Sequence, residues 1–307
     1  MERGRVIKST GSWYTVEREN GELIECRVRG KFRQRNIKST NPVAVGDWVR
    51  FYGETNEYVI SDIDERKNYI VRKSVNLSKQ SHIIASNLDQ AVLVATLKNP
   101  VTFPTFIDRF CVAAEAYHIS VVIVFNKIDL FDEEEREMVE AFRSVYTDLG
   151  YVTAVCSAET GEGLDEFKSI LKDKVSLLSG HSGVGKSTLI NAIDKNIKIK
   201  TGAISEAHYT GQHTTTFAEM HKLDFGGYIV DTPGIRGFGL VDIEKEEMAG
   251  YFPEMRELLP DCKFYNCVHI SEPGCAVKEG IKTGKVAETR YKSYLNMYQN
   301  SDEEHYR

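Results

Sequence analysis

Residues 180–187 read GHSGVGKS, and no other stretch of the chain limits its fold so sharply. The pattern G-x-x-x-x-G-K-[ST] works only where a strand runs into a helix. Its glycines turn backbone N–H groups inward around phosphate oxygens, and the helix N-terminus adds partial positive charge. The flanks supply both elements: residues 175–178 (VSLL) are a short apolar run, and 187–193 continue with helical spacing. Lys186 is then placed to reach the β- and γ-phosphates, and the Ser187 hydroxyl to ligate Mg²⁺. Gly180, His181, Ser182, Gly183, Val184, Gly185, Lys186, Ser187 and Thr188 form the candidate phosphate cradle.

Three further motifs narrow the ligand. DTPG at 231–234 follows the apolar run 228–230. Asp231 can hold Mg²⁺ through water, and the Gly234 N–H can sense a γ-phosphate; taken alone, the same residues read as a Pro-Gly turn. NKID at 126–129 closes the strand VVIVF. Asp129 can accept two hydrogen bonds from guanine, which adenine cannot supply, so a buried carboxylate there selects GTP over ATP. The Lys127 stem can lie over the base and Asn126 can brace a neighbouring loop, with Ile128 between Lys127 and Asp129. An aspartate N-cap is the plainer reading of Asp129. Ser157 and Ala158 end the run YVTAVC, where a backbone N–H can meet guanine O6.

The order is unusual. NKID and Ser157-Ala158 precede the phosphate loop and DTPG, whereas ordinary GTPases run the other way. The same sheet survives such a permutation because chain ends can move where termini lie close. The expected layout is multidomain. Residues 1–72 alternate in short β segments and suit an all-β OB-fold barrel. Residues 73–240 alternate strands (88–96, 120–125) with helices (106–118, 133–149), the pattern of an α/β P-loop GTPase domain, circularly permuted. Residues 241–307 form a small tail with a helix near 285–297.

In that tail Cys262, Cys267, His269 and Cys275 cluster. Three thiolates and one imidazole suit a closed, structural Cys₃His zinc site. Three buried cysteines with an exposed histidine, or Fe–S ligation, are the alternatives. The net charge of −6 does not point to a nucleic-acid binder. It hides a stripe, RVRGKFRQRNIK, in which Arg27, Arg29, Lys31, Arg33 and Arg35 alternate and so share one strand face. That stripe reads equally as a guarded sheet edge or a phosphate-contacting surface. The N-terminal residues lack the apolar core of a secretory signal and the apolar runs are too short to span a bilayer, so a cytoplasmic address with no membrane partner is expected.

NKID, Ser157-Ala158, GHSGVGKS, QHTTT at 212–216, DTPG and the Cys/His cluster together resemble the ribosome small subunit-dependent GTPase A family over essentially the whole chain. The resemblance implies a GTPase stimulated by the small ribosomal subunit, acting in its late maturation, with an OB domain that contacts ribosomal RNA, zinc in the tail and Mg²⁺ with GTP. It tips the reading of the Arg27–Arg35 stripe towards RNA. Gln212 stands where the family usually has Arg. Ile235 follows DTPG where many GTPases place a water-orienting glutamine, so slow unassisted hydrolysis is expected. His213 is the candidate to orient the water and Thr215 to reach Mg²⁺. A nucleotide-gated RNA-binding module with incidental hydrolysis, or a permuted GTPase of the large subunit, are the competing readings. A monomer is expected.

Overall fold

The computed structural model describes residues 1–28, 42–54, 57–73, 81–197, 218–231 and 243–300. Arg29, Lys31, Arg33, Arg35, Gln212, His213, Thr215, Gly234 and Ile235 lie outside the described residues.

Alternating apolar residues build the first five strands: β1 (Glu2–Ser9), β2 (Tyr14–Arg18), β3 (Leu23–Val28), β4 (Trp48–Glu54) and β5 (Glu57–Ile63). They close as β1-β2-β3-β5-β4-β1, antiparallel throughout except for the parallel β3–β5 pair. Val6, Val16, Ile24, Cys26, Val49, Phe51 and Ile60 fill the interior. At the closure β1 pairs with two strands at once. A Cβ on Gly4 would stand 2.6 Å from Val16 and 2.7 Å from the Glu17 carbonyl, so only glycine allows that crossing. This is the five-stranded OB-fold barrel.

A hairpin, β6 (Tyr69–Lys73) with β7 (Ser81–Ser86), follows the barrel. Asp47, fully buried, ties it down: its carboxylate accepts from Arg66 and from the Ser86 hydroxyl at 2.6–2.7 Å.

The central sheet has the order β10 (Val152–Val155), β9 (Ser120–Phe125), β8 (Gln90–Ala95), β11 (Val175–Ser179), β13 (Tyr228–Asp231), β12 (Glu219–Lys222). The first five are parallel and β12 is an antiparallel flank. Strand β8 is buried along its whole length because both faces are covered. Ala91, Leu93 and Ala95 point to the side of α1 (Pro104–Ala116) and α2 (Glu133–Thr147), while Val92 and Val94 point to α3 (Leu164–Leu171) and α4 (Lys186–Ile193). Each large aliphatic side chain so buried contributes about 1.5–3 kcal/mol.

Helix α1 starts at Pro104, two residues before the expected 106, because proline suits a first helical position. It ends at Ala116, and His118 lies at φ 55°. Helix α2 starts on a reciprocal Asp132–Glu135 capping box.

The described residues end in a tight helical turn, Lys245–Tyr251, then α5 (Pro253–Leu258), α6 (Ala276–Lys282) and α7 (Glu288–Asn300). Helix α7 replaces the expected 285–297. Phe252, Met255, Val277, Tyr294 and Met297 form its core, which Val112 of α1 enters from the sheet layer. The barrel meets the opposite flank of the sheet. Lys8 of β1 pairs with Glu219 of β12, and Glu17 of β2 accepts from Lys222 at 2.9 Å and from the Tyr228 hydroxyl at 2.5 Å.

Candidate nucleotide site and metal centre

Parallel strands bring the loops at their C-terminal ends to one edge of the sheet, where open α/β folds bind ligands. All four motifs leave such ends: NKID from β9, Ser157-Ala158 from β10, GHSGVGKS from β11 and DTPG from β13.

The phosphate loop bends through three glycines, Gly180, Gly183 and Gly185, at φ 141°, 84° and 93°. Two of them also need the missing Cβ. A methyl on Gly180 would sit 2.3 Å from the Val94 carbonyl, and one on Gly185 2.5 Å from Asn126 Nδ2. Lys186, only 9% exposed, donates to the carbonyls of Gly180 and His181 at 2.7 and 2.8 Å. Burial depresses its ammonium to about 8, against an upward pull from Asp231. A desolvated ammonium capping a loop of inward N–H groups is a receptor for phosphate oxygens. Ser187 is half-buried and Thr188 exposed at the start of α4, and Asp231 is half-buried at the end of β13.

The base-binding side is built around Asn126, which is 3% exposed. Its Nδ2 donates to the Val184 carbonyl of the phosphate loop at 2.8 Å, and its Oδ1 accepts from the Ala158 N–H at 3.2 Å. One side chain thus joins three motifs. Lys127 takes φ 66° and donates to the Asn99 carbonyl at 2.5 Å. Ile128 is buried beneath them. Asp129 accepts from the Ser157 hydroxyl at 2.5 Å, and that hydroxyl accepts from the Thr160 N–H at 3.1 Å. The carboxylate is held by one oxygen in a fixed direction, which suits a two-point contact with guanine. The turn back into α3 depends on Gly163 at φ 73°, where a Cβ would lie 2.0 Å from the Val155 carbonyl.

In the tail, the ligand atoms of Cys262, Cys267, His269 and Cys275 all lie within 4.8 Å of one another. His269 turns Nδ1 to the sulfurs, 3.3 Å from Cys275 and 3.7 Å from Cys262. With metal–sulfur bonds of about 2.3 Å, tetrahedral ligands stand about 3.5–3.8 Å apart, so the cluster fits a metal ion. Burial and then its sulfur neighbours push the Cys267 thiol up to about 12; a bound cation reverses that. Cys275 caps α6, accepting from the Lys278 N–H at 3.4 Å. Outside the ligands, Glu272 accepts from the N–H groups of Val268, Ile270 and Ser271. Tyr291 and Tyr294 donate to the carbonyls of His269 and Val268. The His269 side chain is fully buried and its Nε2 has no partner.

Comparison with known proteins identifies the family. A family profile described as RsgA GTPase matches residues 63–241, and one described as RsgA N-terminal domain matches 3–59. The chain is 52% identical over 306 residues to "Small ribosomal subunit biogenesis GTPase RsgA 2" of Bacteroides thetaiotaomicron, covering 99% of both. It is 54% identical over 309 residues to the RsgA of Christiangramia forsetii, covering 99% of this chain and 98% of that one. Among solved structures, YjeQ from Thermotoga maritima superposes with TM-score 0.81 at 40% identity, covering 97% and 98% of the two chains. YloQ, titled a circularly permuted GTPase, gives 0.75 at 30% identity, covering 99% and 96%. The chain belongs to the RsgA GTPase family.

In this RsgA-family chain Asn126, Asp129, Ser157, Ala158 and the phosphate loop meet at one edge of the sheet, and Cys262, Cys267, His269 and Cys275 meet in the tail. His213, Thr215 and Gly234 lie outside the described residues. Sequence reasoning missed the segment between β8 and α1. Its Asn99 holds Lys127, and its Pro100 stands 3.5 Å from where a Cβ on Gly183 would be. No motif marks it.

Proposed function

We propose that this RsgA-family GTPase binds GTP with Mg²⁺ and hydrolyses it to GDP and phosphate in response to the small ribosomal subunit. It then acts as a checkpoint in late maturation of that subunit; its relatives are named for small ribosomal subunit biogenesis. The observation that carries the reading is the Asn126 Nδ2–Val184 carbonyl bond. It welds the guanine motif to the phosphate loop although the permuted chain separates them by 58 residues.

In this reading Lys186 and the loop N–H groups neutralise charge on the β- and γ-phosphates. Ser187 and Thr215 ligate Mg²⁺, Asp231 holds it through water, and the Gly234 N–H meets the γ-phosphate. His213 orients the attacking water, because Ile235 cannot. Replacing His213 by alanine should abolish subunit-stimulated turnover and leave GTP binding intact. The Cys₃His cluster holds one zinc ion, which ties the tail loops together. The working divisions are 1–72 for RNA, 73–240 for nucleotide and 241–307 for the metal module, in a monomer of the cytoplasm. No helix among the described residues is long and apolar enough to cross a membrane.

The RNA face starts at Arg27, whose guanidinium lies 3.8 Å over the exposed Trp13 ring. The β1–β2 loop and strand β3 form the face that OB folds offer to oligonucleotides. Arg29, Lys31, Arg33 and Arg35 continue its charge in sequence.

The test is turnover of GTP and ATP, each with and without purified small ribosomal subunits at fixed salt. A slow GTP-only rate that rises many-fold with subunits is expected. Equal GTP and ATP rates, or no response to subunits, would overturn the reading.

A further inference from the structure

A loop bent by three left-handed glycines has little intrinsic preference for one shape, because glycine loses more conformational freedom on ordering than any other residue. Its cradle must be held from outside. Most of the holds are to backbone: Asn126 on the Val184 carbonyl, Lys186 on the Gly180 and His181 carbonyls, and Val94 against Gly180. Two side chains before Lys186 are large enough to be gripped: Val184, fully buried in the core beside α4, and His181 on the other side of the loop's turn. His181 is gripped as well. The Phe106 ring stacks on the His181 imidazole with centroids 3.7 Å apart and planes 32° apart.

Phe106 is well placed to hold something still. It sits in the first turn of α1 behind Pro104, its N–H bonded to the Phe103 carbonyl. Its ring is half-buried against the core on that face of the sheet. The chain before it is pinned: the Thr102 N–H donates to the Thr96 carbonyl, the Thr102 hydroxyl accepts from the Thr96 N–H, and the Thr96 hydroxyl donates to the Pro100 carbonyl. Pro100 abuts Gly183 in turn. The segment from Thr96 to Phe106 is therefore a brace beneath the phosphate loop.

We propose that Phe106 is a positioning residue for the phosphate loop, acting through His181 to hold the cradle in its phosphate-receiving shape and so to slow nucleotide release. This deepens the nucleotide-site reading and rests on it. The stack lies on the phosphate loop and not on Asn126, Asp129, Ser157 or Ala158, so its effect falls on the phosphate end of the ligand.

The experiment is release of a fluorescent GDP analogue from the full-length chain by stopped flow, chased with unlabelled GDP. An aromatic pair of this kind predicts that Phe106→Leu speeds release about three- to tenfold. Phe106→Tyr should restore the slow rate, since it keeps the ring. His181→Ala should speed release to the same extent, and adding Phe106→Leu to it should change nothing more. Because His181 lies on a loop, its variant keeps the test open should Phe106→Leu fold poorly. The proposal is overturned by unchanged release in either single variant, or by additive effects in the pair. Wild-type binding, read in the same assay, tests the nucleotide site itself. If wild type takes up no analogue, that reading fails; if it binds and the variants release normally, only the brace fails.

Discussion

At the scale of single residues, two side chains of the site make opposite electrostatic demands. Lys186 is held near 8 by burial, below its ordinary value, so the empty site carries a partly neutral amine under mildly alkaline conditions. Phosphate favours the charged form. Binding above about pH 8 must therefore take up a proton, and GDP affinity should fall as pH rises from about 7 to about 9.5. Titration calorimetry in buffers of different ionisation enthalpy checks this: proton uptake should be near zero at about pH 7 and approach one at the alkaline end. Asp129 demands the reverse, a full negative charge facing donors. Asp129→Asn turns one acceptor into a donor, and a hydrogen bond to a charged group contributes about 1.5–3 kcal/mol. GTP affinity should fall by one to two orders of magnitude, roughly, while xanthosine triphosphate, with an acceptor where guanine has its amine, should gain. Competition binding with the two nucleotides decides it; an equal loss for both would mean that Asp129 only caps the turn.

At the scale of elements, α7 is joined to the sheet layer by a fully buried ion network. Arg290 donates to Asp108 of α1 at 2.8 Å and to both oxygens of Glu254 of α5 at 2.8 and 3.1 Å, and Tyr146 of α2 donates to Asp108 at 3.0 Å. Removing the cation strands two carboxylates, and breaking such a pair costs about 3–5 kcal/mol. Arg290→Met should lower denaturation stability by that order. Burial already holds Asp108 above the usual carboxylate range. Arg290 opposes that rise; without it the Asp108 carboxyl goes higher still and keeps its proton in the folded variant after the unfolded chain has lost it, so the variant loses stability as pH rises. The deficit of Arg290→Met should accordingly be larger at about pH 8 than at about pH 5 in urea melts. Nothing in the sequence announced this network, since a mid-helix arginine reads as a solvated face. Strands β8 and β9 were legible because uninterrupted valine, leucine and isoleucine runs mark strands covered on both sides. The antiparallel β12 was not, because EMHK on a flank carries a single buried residue, Met220. The motif loops could be read because their chemistry demands fixed spacings. Phe106 could not, because in sequence it is one more apolar residue on a helix. The tail cysteines were legible for the same reason as the motifs. Metal supplies folding energy where a core is small. Treatment with a strong chelator should expose residues 259–284 to proteolysis while barrel and central sheet stay resistant, with one zinc released per chain; intact resistance would remove the structural role of the ion.

At the scale of the whole molecule, permutation decides what can pull on what. The chain leaves the end of β13 at Asp231 and is next described at residue 243, entering the tail that holds the Cys/His cluster. The start of the same strand is held by the barrel. Tyr228 donates to Glu17, Lys222 of β12 donates to the other oxygen of that carboxylate, and the Arg5 guanidinium lies 5.5 Å over the Tyr228 ring. Burial and the Glu17 bond both raise the Tyr228 phenol above its ordinary value, which keeps it a donor across the working pH range. One short strand is thus fastened to the proposed RNA-binding barrel at one end and carries Asp231 at the other. If the barrel reports the ribosomal subunit to the nucleotide, this joint is one route for the report, beside the Lys8–Glu219 pair and the bonds of Val45, Gly46 and Asp47 to Ser86 and Asn87 ahead of β8. Tyr228→Phe removes one hydrogen bond to a charged partner, about 1.5–3 kcal/mol, and leaves the ring and its packing. Basal GTP turnover should stay as it is, since Tyr228 touches neither the phosphate loop nor the base motif. Turnover in the presence of small subunits should drop several-fold at saturating subunit, and subunit binding should remain. Equal stimulation of wild type and Tyr228→Phe would mean that the signal does not cross this joint.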